Sequence, residues 1–411
     1  MMIAARQRSR ARRLDRWRAG APLVACLVAA AAPARALAVD CHTLPQPVFV
    51  VGSTAAKPLL AQIGRVVASA AKPTTVIYQG QGSCAGVDAI LNGTAVYGEG
   101  ATALSYWDAS GTEQPCDLAA AGPGATADVG LSDVFASTCV DLPGGLPSNV
   151  ADFVGPVQTM TFVVPAASTE RSISAAAAYN VFAFGADSGV TPWTNRSLIL
   201  QRDPTSGTQR MIAVALGVPV DRWSGTPVPS SGAMLSTLTS ASPGGAAIGI
   251  LAADVAQDNR AALAILAYQH FDQTCGYYPD RDAASNEKSN VRDGHYAIWG
   301  PLHLLSRIGV NGLPLNAGAA DLIGFMTGTT PAPAGLDLIS VEAQHHVVPR
   351  CAMRVNRVQE MGALSSYAPP GSCGCAYEKA ANGATACMPC QTDRDCPGTA
   401  PVCSYRYCET Q

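Results

Sequence analysis

The stretch VFVVGSTAAKPLLAQIGRVVASAAKPTTVIYQGQGS at residues 48–83 alternates apolar runs with an amphipathic helical pattern. An apolar run at 48–51 leads into the turn Gly52-Ser53-Thr54, and a second apolar run at 75–78 leads into a Gly-rich turn at 80–83. A strand–helix order of this kind is typical of an α/β layer with a largely parallel sheet. Ligands of such sheets bind beyond the carboxyl ends of the strands, which is where these turns lie.

The rest of the chain predicts a second lobe. Residues 94–127 break the strand–helix rhythm and indicate an inserted hairpin-like excursion, after which a short strand returns at 128–131. The apolar, β-rich run Val157–Val164 and a second segment at His295–Trp299 each suit a crossing between lobes. Two crossings between the lobes would form a hinge. In the second lobe, helices are expected near Ser174–Phe184 and Gly207–Leu216.

The domain prediction follows from these crossings. The first lobe is discontinuous, at 39–155 and 293–350, and the second lobe spans 156–292. About 370 residues follow the N-terminal segment, which is more than a single core usually supports, so two lobes are expected. Residues 351–411 form a cysteine-rich C-terminal module.

The N-terminal segment 1–38 has the order of a secretory signal peptide. Seven arginines lie in its first eighteen residues, an Ala/Leu/Val stretch follows, and the small-residue triplet Ala36-Leu37-Ala38 closes it. The protein is therefore expected to be exported, to the periplasm or the cell surface. An alternative is a lipoprotein cleavage box at Leu23–Cys26, with Cys26 as the lipidated residue.

The net charge of the exported chain argues against nucleic acid as a partner. Removal of residues 1–38 leaves 19 basic and 29 acidic residues, a net charge of about −10. A chain this acidic is a poor binder of nucleic acid. It also repels small anions at long range, so any anion must be held by local donors in an enclosed site.

Thirteen cysteines follow Ala38, which in an exported protein indicates disulfides. Because thirteen is odd, one thiol is free, pairs outside the chain, or shows that the cleavage site is misplaced. Cys84 is expected to pair with Cys116 or Cys139 rather than to act as a nucleophile. The tail cysteines, Cys387 and Cys390 among them, fit bridges better than a zinc site.

The segment Arg202–Thr208 is the strongest candidate binding site. It follows a strand at 198–200 and opens the helix that begins near Gln209. N–H groups at a helix start lack intrahelical partners and carry partial positive charge, so Ser206, Gly207 and Thr208 can hold an anion. Arg202 adds a planar, two-pronged donor. An ordinary helix cap with a surface arginine remains the alternative.

Four segments resemble the phosphate-binding receptors of bacterial ABC transporters. Tyr78–Ser83, continuing through Gly86-Val87, resembles their Y-Q-G-x-G-S-x-x-G-V segment, and Arg202–Thr208 their R-x-x-x-S-G-T segment. Asp128–Asp133 is similar to their D-x-G-x-S-D strand end, and Gly52-Ser53-Thr54 to their first G-x-T turn. The order along the chain agrees, and the resemblance covers roughly residues 45–350.

The resemblance implies an α/β, two-lobed type II periplasmic-binding-protein fold and a set of anion ligands. Thr54 and Ser83 would donate from the first lobe. Arg202, Ser206, Gly207 and Thr208 would donate from the second. Asp133 would accept, and a buried carboxylate tolerates only an anion that still carries a proton. Phosphate and arsenate meet that condition at neutral pH and sulfate does not.

The resemblance also implies partners and a function. The expected function is capture of inorganic phosphate, or a similar protonated oxyanion, for ABC-type uptake through a permease, without cofactor, metal or catalytic residue. The sequence departs from the family in the thirty residues with Cys116 that follow the Ser83 turn, in Pro204, and in the cysteine-rich tail.

The sequence leaves two other functions to consider. A serine hydrolase is disfavoured because the chain has no G-x-S-x-G elbow. The second is a surface-displayed anion-binding or interaction protein whose cysteine-rich tail docks a cell-envelope partner and which is not coupled to transport.

Overall fold

A mixed β-sheet of ten strands runs through the computed structural model, which describes residues 39–99, 102–119 and 121–410. The predicted signal peptide at 1–38, with Cys26, lies outside the described residues. The described strands are β1 (Val39–Asp40), β2 (Pro47–Gly52), β3 (Thr75–Gly80), β4 (Leu104–Trp107), β5 (Glu113–Asp117), β6 (Val129–Ser132), β7 (Val150–Pro165), β8 (Ser172–Ser174), β9 (Leu200–Arg202), β10 (Thr226–Val228), β11 (Gly249–Ala252), β12 (Leu263–Ile265), β13 (Ala267–Gln269), β14 (Trp299–Arg307), β15 (Val355–Asn356), β16 (Ser365–Ser366), β17 (Val402–Ser404) and β18 (Tyr407–Glu409).

The described helices cover both lobes and the C-terminal region. They are α1 (Lys57–Ala68), α2 (Ser83–Leu91), α3 (Ala136–Cys139), α4 (Ala175–Phe184), α5 (Gly207–Leu216), α6 (Ser231–Thr239), α7 (Ala253–Asp258), α8 (Ser289–Arg292), α9 (Ala317–Thr327), α10 (Leu338–Gln344) and α11 (Gly374–Asn382). Among these described helices none is long and apolar enough to cross a membrane.

The large sheet has the order β1-β5-β4-β3-β2-β6-β14-β7-β11, with β12 also paired to β7. β2 pairs in parallel with β3 and with β6, as the sequence predicts. Alternate side chains of β2 enter two different cores: Val48 and Val50 pack with α1, whereas Phe49 and Val51 pack with α2. Because both faces are covered, the strand is apolar at every position from Val48 to Val51.

The predicted crossing at Val157–Val164 lies inside the long strand β7. Its residues 150–159 pair with β14, and its residues 160–165 pair with β11 and β12. The second predicted crossing, at His295–Trp299, leads directly into β14, which begins at Trp299. Ahead of it, Ile298 O accepts the Met160 N–H at 3.0 Å and the Tyr296 hydroxyl donates to Met160 O at 2.8 Å, so this segment is already bonded to β7.

The insertion at 94–127 contains the antiparallel hairpin β4–β5, as predicted. β4 extends the sheet from β3, and β5 pairs with β1. The disulfide Cys41–Cys116 fastens the hairpin to the start of the described chain. The insertion is thereby fixed to the large sheet.

Twelve of the described cysteines form disulfides and one is free. The pairs are Cys41–Cys116, Cys84–Cys139, Cys351–Cys373, Cys375–Cys387, Cys390–Cys403 and Cys396–Cys408. The odd thiol is Cys275, which is exposed.

The C-terminal region packs against the rest of the chain. Cys373 and Tyr377 of this region are buried in the same core cluster as Phe182 and Trp299. The described residues group into one compact unit.

Candidate functional site

Asp133 forms the centre of the candidate site, directly after β6. Its side chain is buried, with 2% of the residue exposed. Ser53 Oγ donates to Asp133 Oδ1 at 2.6 Å, and Ser83 Oγ donates to Oδ2 at 3.0 Å. Burial raises the pKa of Asp133, while the two serine hydroxyls and the charges of Arg202 and His303 oppose that rise.

Three neighbouring strands deliver these groups. Ser53 follows β2, Ser83 opens the helix after β3, and Asp133 follows β6. These strands run in parallel, so their carboxyl ends meet at one edge of the sheet. Gly52 permits the close approach, because a Cβ there would lie 1.9 Å from Leu131 O.

Ser53 is a site residue that the sequence reasoning missed. Besides bonding Asp133, its hydroxyl accepts the N–H groups of Ala55 and Ala56, each at 3.2 Å. The sequence reasoning selected the neighbouring Thr54 from the G-x-T pattern. The available signal was that Ser53, like Thr54, carries a hydroxyl in the turn after a buried parallel strand.

Arg202 ends β9 and is 2% exposed. Its Nη1 donates to Ser231 Oγ at 3.1 Å, and its Nη2 donates to Thr54 Oγ1 at 3.4 Å and to Pro229 O at 3.3 Å. Its Nε has no hydrogen-bond partner among the described residues. Burial lowers the pKa of Arg202, but a guanidinium keeps its charge in proteins.

The start of α5 faces Asp133 from the second lobe. A Cβ placed on Gly207 would lie 2.2 Å from Ser83 Oγ and 2.7 Å from Asp133 Oδ2. Ser206 is the N-cap, and its hydroxyl accepts the N–H of Gln209 at 3.4 Å. The Thr208 hydroxyl donates to the sulfur of Met160 at 3.3 Å, so it points to β7.

Loops of the two lobes also touch beside the site. The Cys84 N–H, in the first turn of α2, donates to Thr205 O at 3.0 Å. The Thr205 hydroxyl donates to Gln81 O at 3.2 Å. One N–H donor of the α2 start is therefore used by the opposing lobe.

The structure places all seven predicted residues in two adjoining groups. Thr54 lies with Arg202, and Ser83 lies with Asp133 and Gly207. Ser206 and Thr208 flank Gly207 at the start of α5. A helix start and a buried guanidinium supply positive potential, and Asp133 is an acceptor between them.

Two further buried carboxyl groups lie near Asp133 and were not predicted. Glu360, from the C-terminal region, accepts the Phe135 N–H on Oε2 at 3.2 Å, and burial raises its pKa to about 7. Burial likewise raises the pKa of Asp254, in α7, to about 7, and the charge of Asp133 adds to both rises. Each is more than one hundred residues from Asp133 in sequence, which hides it from local patterns.

The sequence favours disulfide bridges over a zinc site in the tail, and the structure pairs the tail cysteines in disulfides. Among the described residues, Cys390, Cys396 and Cys408 have sulfur atoms spaced for an ion. All three are engaged in disulfides, so no thiolate is available there.

Comparison with known proteins gives matches in structure alone. No model of a known protein family matches the chain, and no curated protein sequence matches it significantly. A putative phosphate ABC transporter substrate-binding protein with bound phosphate from Clostridium perfringens is 13% identical, with a TM-score of 0.51, covering 74% of this chain and 99% of that one.

Two further solved structures are similar at lower scores. PfluDING, a high-affinity periplasmic phosphate-binding protein, is 13% identical with a TM-score of 0.47, covering 74% of this chain and 90% of that one. An ABC-type phosphate transport receptor from Vibrio cholerae is 12% identical with a TM-score of 0.45, covering 73% of this chain and 99% of that one. The Clostridium similarity confirms the predicted fold class: the chain has the two-lobed type II periplasmic-binding-protein fold, with a disulfide-rich C-terminal region.

Proposed function

We propose that this protein is an exported solute-binding protein that captures inorganic phosphate, or a similar protonated oxyanion, between its two lobes. The observation that carries the proposal is Asp133, a buried carboxyl group enclosed by hydroxyl donors and faced by the start of α5. As a carboxylate, such a group accepts a hydrogen bond from an O–H of its ligand, which hydrogen phosphate offers and sulfate does not.

The donors are supplied by both lobes. Thr54 and Ser83 would bind the anion from the first lobe, and Arg202, the Ser206 hydroxyl and the N–H groups of Gly207 and Thr208 from the second. The Ser206 N–H already donates to Asp203 O. Arg202 already contacts Thr54, and Gly207 already contacts Ser83, across the lobes. Closure about β7 and β14 would exclude water and strengthen these hydrogen bonds.

Calorimetric titration of ligand-stripped protein with phosphate and with sulfate tests the proposal. We expect phosphate to bind and sulfate to give no heat. Arg202→Ala removes charge-assisted bonds worth about 1.5–3 kcal/mol each, so phosphate affinity should fall by at least tenfold. Arg202→Lys is a second variant that keeps the positive charge at this position. Circular dichroism of each variant checks that a loss of affinity does not come from misfolding.

The Asp133→Asn variant tests the acceptor role directly. Removing the carboxylate removes its repulsion of an unprotonated anion, so the ratio of phosphate to sulfate affinity should fall. Equal ratios in the variant and in the native protein would exclude Asp133 as the discriminating residue. Binding of neither anion by the native protein would refute the proposed function.

Delivery to an ABC permease is part of the proposal. Deleting the gene in the organism that encodes it should lower uptake of radiolabelled phosphate at low external concentration. The same proposal includes the permease as a partner. It also includes the lobe limits at 39–155, 156–292 and 293–350 and the module at 351–411.

A second candidate function is favoured by the tail. Residues 375–408 carry three disulfides within thirty-four residues, which suits a rigid docking surface. The protein would then be a surface-displayed anion-binding or interaction protein whose tail docks a cell-envelope partner. Unchanged phosphate uptake after gene deletion, together with phosphate binding by the pure protein, would favour this function over transport.

A further inference from the structure

A cavity of about 540 Å³ opens between the lobes beside the candidate anion site. Thr54, Lys57, Gln79 and Ser105 line it from the first lobe, and Ser231 lines it from the second. Pockets for small organic molecules occupy about 300–1,000 Å³, so the cavity has room for an organic group as well as an anion.

The cavity and the anion site share two residues. Thr54 and Ser231 both line the cavity, and their hydroxyls accept the two Nη groups of Arg202 at 3.4 and 3.1 Å. The same two hydroxyls lie 3.4 Å from each other across the lobes. A phosphoryl group bound at Arg202 would therefore have one oxygen directed towards the cavity.

The cavity lining suits hydroxyl groups. Gln79, Gln81, Thr102, Ser105 and Ser230 add amide and hydroxyl groups to those of Thr54 and Ser231. Among the described lining residues there is no carboxylate. The lining cation, Lys57, pairs with Glu113 at 2.7 Å. Polar, uncharged side chains of this kind hydrogen-bond a polyol or sugar and offer little to an apolar group.

The inserted hairpin builds one wall of the cavity. Thr102, Ala103 and Ser105 belong to the 94–127 insertion, and Ser105 on β4 pairs with Tyr78 on β3. The Cys41–Cys116 disulfide holds the hairpin in place. The segment that departs from the receptor pattern is thus the one that shapes this cavity.

From these observations we propose that the protein takes a phosphate monoester of a hydroxylated organic molecule, with the phosphoryl group at Arg202 and the organic group in the cavity. The ligand class is that of sugar and polyol phosphates. This inference rests on the proposed anion-binding function.

Titration with inorganic phosphate, glycerol 3-phosphate and glucose 6-phosphate tests the inference. We expect at least one ester to bind at least as tightly as inorganic phosphate. Phosphate binding with weaker binding of both esters would overturn the inference and leave the proposed function standing. Binding of no compound would refute the proposed function itself.

Cavity-filling variants locate the organic group. Thr102→Trp and Ser105→Trp each place a large ring in the cavity, on residues that do not contact Arg202 or Asp133. Each should weaken ester binding at least tenfold and leave inorganic phosphate affinity within twofold. Esters that bind both variants as tightly as the native protein, or variants that weaken phosphate and ester alike, would place the organic group elsewhere and overturn the inference.

Discussion

Gly207→Ala should weaken phosphate binding without unfolding the protein. The added Cβ would lie 2.2 Å from Ser83 Oγ, 2.7 Å from Asp133 Oδ2 and 2.8 Å from Asp133 Cβ. None of these atoms is free to move, because the Ser83 hydroxyl is bonded to Asp133 and the carboxyl group is held by two serines. The start of α5 must therefore retreat by about 1 Å, since carbon contacts lie near 3.5 Å.

The expected loss of phosphate affinity follows from the position of the clash between the added Cβ and Ser83 and Asp133. Overpacking of a close-packed site costs about 1–3 kcal/mol. In the proposed division into lobes, Gly207 and Asp133 belong to different lobes, so the cost falls on the closed arrangement and not on either lobe alone. The Kd for phosphate should rise by about 5- to 150-fold.

Calorimetry of the variant beside a matched control measures this effect. Gly245→Ala lies in the same lobe, and a Cβ there would have no neighbour within 4 Å, so its affinity should match that of the native protein. Equal affinities for native protein and Gly207→Ala, with both folded, would refute the close approach of α5 to Asp133 in the bound state.

Other predictions concern the stability and chemistry of single groups. Ser53→Ala removes the 2.6 Å donor to Asp133, so chemical denaturation should show a loss of about 1–3 kcal/mol, whereas the exposed Ser148→Ala should show almost none. Asp254 keeps its proton in the folded protein up to about pH 7, whereas the unfolded chain loses it near 3.8, so the unfolding free energy should fall between those values by up to about 1.4 kcal/mol per pH unit. Asp254→Asn should remove this contribution to the pH dependence of the unfolding free energy. An unchanged pH dependence would contradict the raised pKa of Asp254. Thiol labelling of the unreduced protein after signal-peptide removal should modify one cysteine, Cys275, and a second reactive thiol would contradict the disulfide pattern.

Buried carboxyl groups are the part of the site that sequence patterns reveal least. Asp133 was predicted because it ends a strand in a recognisable D-x-G-x-S-D run. Glu360 and Asp254 belong to no such run, and they approach Asp133 only because β7 and β14 bring distant segments together. Ser53 was missed for a different reason: neighbours in a turn point in different directions, and only the backbone path after Gly52 aims Ser53 at Asp133.

The sequence by itself determined the strand–helix alternation at 48–91 and the hydroxyl-rich turns that end its strands. Apolar runs such as Val48–Val51 and hydroxyl-rich helix starts such as Ser206–Thr208 report local burial and local capping, which depend on neighbours a few residues away. The break in the strand–helix rhythm predicted the hairpin insertion. The odd number of cysteines predicted that one cysteine has no disulfide partner within the chain.

Only the tertiary structure decided which of these local features meet. It chose Cys139 over Cys116 as the partner of Cys84, placed Gly207 against Asp133, and opened a cavity between the inserted hairpin and Ser231. Each of these contacts joins residues at least 55 positions apart, and such pairings depend on how the sheets and helices pack as whole units. No local pattern carries that information, because the periodicity of a strand or helix specifies the face it buries and not the segment that covers that face.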